Sequence, residues 1–379
     1  MRHSLFDENF QFAGYFESDL RADVEHPDYR NMLDMASAQQ VLRQASATWK
    51  SYFAVHRDWK KNPEKYTGEP KIPKYLKTDG RYPFTFTAGP NSRDYSAVLL
   101  PDGSFKLPKK FNGLKIFTKC SSKEGFQRVN EIKIISKKYQ VEIVVSYTVE
   151  VLDLKPDNFR YLSIDLGLDN LAACVTNDQN LQPFVINGKS LKSINQYFNK
   201  KQAKLKSEAK IKHNLEWTNR LSRLAEKRHR KIEDYLHCAS KYLIEYCLKN
   251  DINTLVVGKN DRWKDSISLG KKTNQNFIYI PHSRFIQMLE YKGQIAGVSV
   301  IETEESYTSG TSFIDNESPK KEFYNKSRRI YRGLFRSNSG LLINADINGA
   351  HQIMKKVFPN AFEQWDRGHV VSPLRISFS

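Results

Sequence analysis

Apolar residues along the chain follow three successive patterns. In MLDMASAQQVLRQASATWKSYFAVHRDWKK, Leu33, Ala36, Val41, Leu42, Ala45, Trp49 and Phe53 lie on an approximate helical stripe, which predicts a helix near residues 34–62. The prolines of NPEKYTGEPKIPKY should end it. From about 82 to 150 the pattern is one of short β-branched and aromatic runs, YPFTFTA, YSAVLL, SFKLPK, LKIFTK, NEIKIIS and YQVEIVVSYTVEV, parted by turn formers such as GPNSRD and PDGS. This predicts an antiparallel β module, a small barrel or sandwich, with a hairpin turning near SKK.

From residue 160 the pattern changes again. YLSIDLGLDN reads as an apolar strand ending in an acid and a glycine, and LAACVTND and PFVING as the next two strands. A long helical stretch over 190–250 follows, then the buried strand INTLVVG, the helix SRFIQMLEYKGQIAG, the strand VSVIETEE and a last helix, ADINGAHQIMKKVF. Three strands, helix, strand, helix, strand, helix is the order of an α/β RNase H-like fold.

Composition adds a partner class. The chain has 379 residues with Lys+Arg 60 against Asp+Glu 42, a formal net charge of +18. Half of that excess sits in residues 200–231, where twelve basic residues face three glutamates. A second cluster over 320–336 holds seven basic residues against Glu322. Clustered positive charge points to nucleic acid, bound through its phosphates. The helical stretch keeps Leu221, Leu224, Ile232, Leu236, Leu243 and Ile244 on one stripe, so its basic residues fall largely on other faces. Lys200, Lys201, Lys204, Arg220, Arg223, Lys227, Arg228, Arg230 and Lys231 are candidate phosphate contacts there, as are Arg328, Arg329, Arg332 and Arg336 in the second cluster. No run approaches about 18 apolar residues, so a membrane span is not expected. Four scattered cysteines form no CxxC, and MRHSLFDENFQF lacks an apolar signal core, so a reducing cytoplasm is the expected location.

The candidate chemistry lies in two carboxylates. Asp165 ends the first strand of the α/β region, in S-I-D-L-G-L-D-N. Asp346 opens the last helix, in N-A-D-I-N-G-A. In an RNase H arrangement that helix crosses the same strand ends, so the two could hold divalent cations with oxygen ligands and hydrolyse phosphodiesters.

These residues carry a family likeness. AQQVLRQASATWKSYF, YLSIDLGLDNLAACVTN, NTLVVGKNDRWK, IPHSRFIQMLEYKGQIAGVSVIETEESYTSGTSF and RRIYRGLFRSNSGLLINADINGAHQI together resemble the TnpB family (older label OrfB), the transposon-encoded RNA-guided endonucleases related to type V CRISPR effectors. The resemblance implies an N-terminal WED-like β-barrel with a helical recognition insertion near 34–62, together spanning 1–158. It implies a RuvC nuclease domain over 159–358, with a helical insertion at 190–250 and a finger-like insertion at 307–342, then a tail over 359–379. It implies two Mg²⁺ ions, a guide RNA from the transposon end, double-stranded target DNA and association with the bacterial nucleoid. Trp49, Tyr52, Phe53 and Trp59 are candidates for reading a target-adjacent motif, although helical spacing favours core packing for at least two of them.

Two departures from the family pattern stand out. The strand INTLVVG ends in Gly258 where most of the family carries the middle catalytic Glu. A subgroup carries it on the next strand, just before Y-T-S, which here means Glu305 or Glu304 in VIETEESYTS. Glu305 is preferred, and strand alternation lets only one of them point inward. Residues 309–342 also lack the two CxxC pairs of the usual zinc finger, so no zinc is expected. Phe313, Ile330, Tyr331, Leu334 and Phe335 are the candidates to pack in its place. Gly258 also leaves an alternative open, a nuclease-inactive RNA-guided DNA-binding repressor.

Overall fold

The computed structural model describes residues 27–32, 35–74, 82–91, 95–120, 125–137, 140–259, 280–367 and 372–378. The chain divides into two compact units, Met1–Glu150 and Val151–Ser379. No described helix is long and apolar enough to cross a membrane.

In the first unit, helix α1 (Met35–Lys61) precedes six strands, β1 (Phe84–Gly89), β2 (Ala97–Leu99), β3 (Ser104–Lys106), β4 (Lys115–Phe117), β5 (Phe126–Ser136) and β6 (Val141–Val149). They form one sheet in the order β4-β3-β2-β1-β5-β6. The expected hairpin is β5–β6, which pairs antiparallel from Phe126 with Val149 to Ser136 with Val141. One pair breaks the antiparallel expectation: β1 and β2 run parallel, Ala88 beside Ala97. The Tyr95 ring packs on Gly89 at the end of β1, where a Cβ would lie only 2.3 Å from it. Phe86, Phe105 and Ile132 fill this unit's core.

The second unit is a six-stranded sheet built from β7 (Tyr161–Leu166), β8 (Asn170–Thr176), β9 (Phe184–Asn187), β10 (Thr254–Lys259) and β11 (Ser299–Glu304), with β15 (Leu374–Ile376) at one edge. Its order is β11-β10-β7-β8-β9-β15, with β8 antiparallel to its neighbours β7 and β9 and the other pairs parallel. The first five strands therefore have RNase H topology. The closing segment departs from the expected tail: Leu374–Ile376 pairs with Phe184–Ile186, and Phe378 packs edge-on against Tyr235 and Tyr242. An unpaired strand edge with apolar neighbours is the physical reason it docks.

The helical stretch is two helices, α2 (Lys189–His213) and α3 (Asn219–Lys249). Asn214 ends α2 in a left-handed conformation (φ 50°), and Thr218 caps α3 by accepting from Leu221 N. With α4 (His282–Ala296), α3 covers one face of the sheet through Leu236, Leu243, Phe285 and Leu289. Helix α5 (Ala345–Val357) covers the other face with Ile347, Ala350 and Met354. Between β11 and α5 the chain makes a small three-stranded sheet of β12 (Arg329–Tyr331), β13 (Leu334–Arg336) and β14 (Leu342–Asn344).

His351 on α5 lies in an aromatic cage. It stacks on Phe313 at 3.9 Å and meets Phe362 and Trp365 edge-on, and its Nδ1 has no hydrogen-bond partner among the described residues. Burial pushes its pKa down from 6.5 to about 3. The unfolded chain takes up a proton there below pH 6.5 and the folded protein resists, so the stability His351 contributes is complete above pH 6.5 and is lost as pH falls toward 3. The limiting slope is about 1.4 kcal/mol per pH unit. Urea titrations of His351→Phe between about pH 7 and 4 should show a shallower acid loss than wild type. Parallel profiles would show that His351 does not carry this term.

Candidate active site

Strand alternation sets the floor of the site. On β7, Leu162, Ile164 and Leu166 enter the core under α3 and α4. Tyr161 and Ser163 face α5, where Ser163 Oγ donates to Ala350 O at 2.7 Å. Asp165 shares that face at the C-terminal end of β7 and is half-buried. Helix α5 passes so close that a Cβ built on Gly349 would lie 2.4 Å from Asp165 Oδ2.

Asp346 reaches the same place from the first turn of α5. Asn344 caps that helix, its side chain accepting from the backbone N–H groups of Asp346 (3.0 Å) and Ile347 (3.2 Å). Asn170 Nδ2 donates to Asp346 Oδ2 at 2.8 Å, and Arg329 Nη2 to Asp346 Oδ1 at 3.0 Å.

The two glutamates part company at the end of β11. Gly258 sits one step past the paired residues Val257 and Ile164, beside Asp165, and opposite Thr303 on β11. A Cβ at Gly258 would be 3.3 Å from Glu305 Oε2 and 2.5 Å from Ile353 Cδ1. Glu305 thus leans back over the space that the glycine leaves open. Glu304, with its side chain 72% exposed, turns to the edge of the sheet and meets Lys356 Nζ at 3.5 Å.

Asp165, Glu305 and Asp346 line one cleft of about 1120 Å³. Burial, then the Glu305 and Asp346 carboxylates, push the Asp165 pKa well above its ordinary value, and Arg329 alone opposes them. Among the described residues, no three His, Cys, Asp or Glu side chains are gathered as closely as one metal ion requires. The donor chemistry nonetheless fits a hard divalent cation: three carboxylates, oxygen ligands only, and more negative charge than Arg329 can balance. Asp165, Glu305 and Asp346 are the residues that would hold such an ion, with Arg329 beside them on Asp346 Oδ1.

Other sequence candidates lie elsewhere. Lys201, Lys204, Arg220, Arg223 and Lys227 line a groove between α2 and α3 of about 490 Å³. Lys200, Arg230 and Lys231 are exposed on the same pair of helices. Arg228 instead turns inward, its Nε donating to Asn195 Oδ1 at 2.7 Å and its guanidinium lying over Phe198, because Asn195 is buried in the helix interface. Arg328 is held by Glu317, Arg332 meets Asp169 at 3.1 Å, and Arg336 is exposed. On α1, Trp49 is buried and packs with Tyr52 and Phe53, whereas Trp59 continues the ladder through His56. In the finger-like insertion Phe313 and Phe335 are buried as expected. Ile330 and Leu334 are only half-buried, and Tyr331 is 71% exposed because it sits on the outer side of a two-residue turn.

Several cleft residues were not singled out from sequence. Asn170 lay inside the quoted strand motif, and only its contact with Asp346 reveals it. Lys189 and Arg375 add positive charge to the cleft wall, Arg375 from the edge strand β15. Asp169 holds its own charge: burial opposes ionisation, but Lys192, Arg332 and Lys189 keep its pKa below the usual value.

The fold and site define an α/β unit of RNase H type with a cleft that gathers three carboxylates on its floor. Residues 143–264 match the OrfB_IS605 family profile, described as a probable transposase. Residues 282–353 match the profile of the Cas12f1-like TNB domain. Over these two stretches the chain is similar to the TnpB (OrfB) family. A comparison with curated sequences finds no match. Similar solved structures include a Cas12f1–sgRNA–target DNA complex (15% identity, TM-score 0.39, covering 93% of this chain and 88% of that one). A CRISPR-Cas12f ternary complex (13%, 0.43, covering 93% and 76%) and the RNA-guided endonuclease Cas_phi3 (13%, 0.40, covering 61% and 51%) are also similar.

The raised pKa has a consequence for stability. With no cation bound, ionising Asp165 costs the folded state, so this cost grows as pH rises from 3.8 through the raised value. In chelator near neutral pH, Asp165→Asn should melt higher than wild type, by about 2–4 °C for each kcal/mol relieved. The two should converge near pH 4, and added Mg²⁺ should stabilise wild type alone. An Asp165→Asn protein that melts lower at neutral pH would contradict this charge balance.

Proposed function

We propose that the chain is a transposon-encoded, RNA-guided DNA endonuclease with one RuvC site. The observation that carries this reading is the convergence of Asp165, Glu305 and Asp346, from β7, the end of β11 and α5, on one cleft. In this reading the three carboxylates hold two Mg²⁺ ions. When bound, these would supply the positive charge that makes water a nucleophile and stabilises the leaving oxygen.

The protein's own groups do the rest. Asn170 and the Asn344 cap fix the orientation of Asp346. Gly258 leaves room for Glu305, and Gly349 lets α5 close on Asp165. Arg329 partly neutralises Asp346 and, lining the same cleft, would offer its remaining guanidinium donors to a phosphate there. The α2–α3 groove suits the phosphates of a guide–target heteroduplex. We assign the first unit, read as a WED-like barrel with α1 as part of a recognition lobe, to the target-adjacent motif. The nuclease-inactive alternative is not favoured, since Gly258, its motive, is the residue that makes room for Glu305.

The test is to purify the protein from cells that also express its flanking DNA, sequence the bound RNA, and incubate the complex with a matching duplex and Mg²⁺. Asp165→Ala and Glu305→Gln should each reduce cleavage by about 10²-fold or more while RNA binding persists. Glu304→Gln should stay within about twofold of wild type, because its side chain is outside the cleft. Cleavage that survives Asp165→Ala would remove the site assignment.

A further inference from the structure

Residues 309–342 form an extended insertion with no cysteine and little apolar burial, yet they deliver Arg329 to Asp346. Something other than a thiolate-bound metal must hold them. We propose that Glu317 is that cross-link, and that it is a positioning residue for Arg329.

Glu317 is only 10% exposed and ties together four stretches of chain. Its Oε2 accepts from Arg328 Nη1 at 2.6 Å and from Ser312 N at 2.8 Å. Its Oε1 accepts from Asn338 Nδ2 at 3.2 Å, in the β13–β14 hairpin. Its backbone carbonyl accepts from Lys355 Nζ at 3.0 Å and Gln352 Nε2 at 3.2 Å, both on α5. Lys355 also donates to the carbonyl and side-chain oxygens of Asn316, at 3.1 and 2.8 Å. Joining separate segments at one charged centre is the service a tetrahedral zinc performs in a finger. Here the Glu317 carboxylate joins three, through Ser312, Arg328 and Asn338, with charge-assisted hydrogen bonds, while its main-chain carbonyl holds α5.

The link to the cleft is one peptide bond long. Arg328, its guanidinium on Glu317, directly precedes Arg329, whose Nη2 donates to both Asp346 Oδ1 and Arg332 O. Glu317 thus fixes the backbone from which Arg329 reaches the carboxylate. If Glu317 loses its charge, the half-buried Arg328 guanidinium loses its counter-ion, and this backbone is free to shift. A guanidinium displaced by about 1 Å is no longer in register with a reacting phosphate.

For its rate readout the proposal rests on the nuclease reading. Full-length Glu317→Gln, Arg329→Ala and the double variant are loaded with guide RNA and compared in single-turnover cleavage. Glu317→Gln should slow cleavage on the order of 10- to 100-fold, with guide and target binding within about twofold. On the Arg329→Ala background it should add almost nothing, since it acts through that residue. Losses that multiply would mean a general folding role and overturn the proposal. Arg328→Lys keeps the charge without the fork; it should fall between wild type and Glu317→Gln, and it carries the test if Glu317→Gln does not fold. Hydrogen exchange on the RNA-free protein supplies a readout independent of cutting. Protection of amides in residues 312–338 should drop in Glu317→Gln while α5 keeps its own, and unchanged protection would overturn the cross-link. If wild type cuts no duplex at all, the nuclease reading fails, and hydrogen exchange still decides the role of Glu317.

Discussion

Like charges brought together out of water repel, and this repulsion organises the second unit. Asp165 is pressed by its own desolvation and by Glu305 and Asp346, with Arg329 as the nearest relief. A fold does not assemble such a cluster for its own stability. The surrounding protein has to impose it, through the Ser163 bond to α5, the Asn344 cap and the Asn170 contact that hold sheet and helix at fixed spacing. Repulsion of this kind, held by well-packed neighbours, marks a candidate functional site.

A carboxylate at the end of β11 can fill the space beside the end of β10. The two strands are hydrogen-bonded neighbours, and Glu305 lies two residues beyond Thr303, the partner of Gly258. A glutamate side chain is long enough to lean back across that distance, provided nothing occupies the position it enters. Gly258 and Glu305 therefore work as a pair: a side chain at 258 would collide with Ile353 before it met the carboxylate.

The broad architecture was legible because it depends on periodicity. Strands β7, β8, β9 and β10 are short apolar runs, and helices α4 and α5 show clear apolar faces. Asp165 and Asp346 stood out because a strand end and a helix start are places where an acid has a local reason to sit. Other features had no local signature. The break between α2 and α3 contains neither Gly nor Pro, and only the left-handed Asn214 ends the first helix. Strand β15 is three residues long and pairs with a segment some 190 residues away, so its sequence carries no period to read. The parallel β1–β2 pair joins two short runs whose alternation does not reveal their relative direction. Glu304 and Glu305 differ by one position, and what separates them is the side of an edge strand, which three-dimensional pairing alone reveals.

The finger-like insertion was the least legible of all, and for an instructive reason. Apolar packing was the natural substitute to expect for a missing metal, and Phe313 and Phe335 do supply some. Most of the holding is polar. Glu317 and Asn338 carry no local signal in the sequence, because hydropathy cannot tell a carboxylate facing water from one enclosed by donors. Once enclosed, that carboxylate is more directional than an apolar cluster of equal size, since each bond fixes an angle as well as a distance. Directionality is what an arginine poised over three carboxylates demands, and a soft apolar plug in the same insertion would leave Arg329 without a defined line of approach to Asp346.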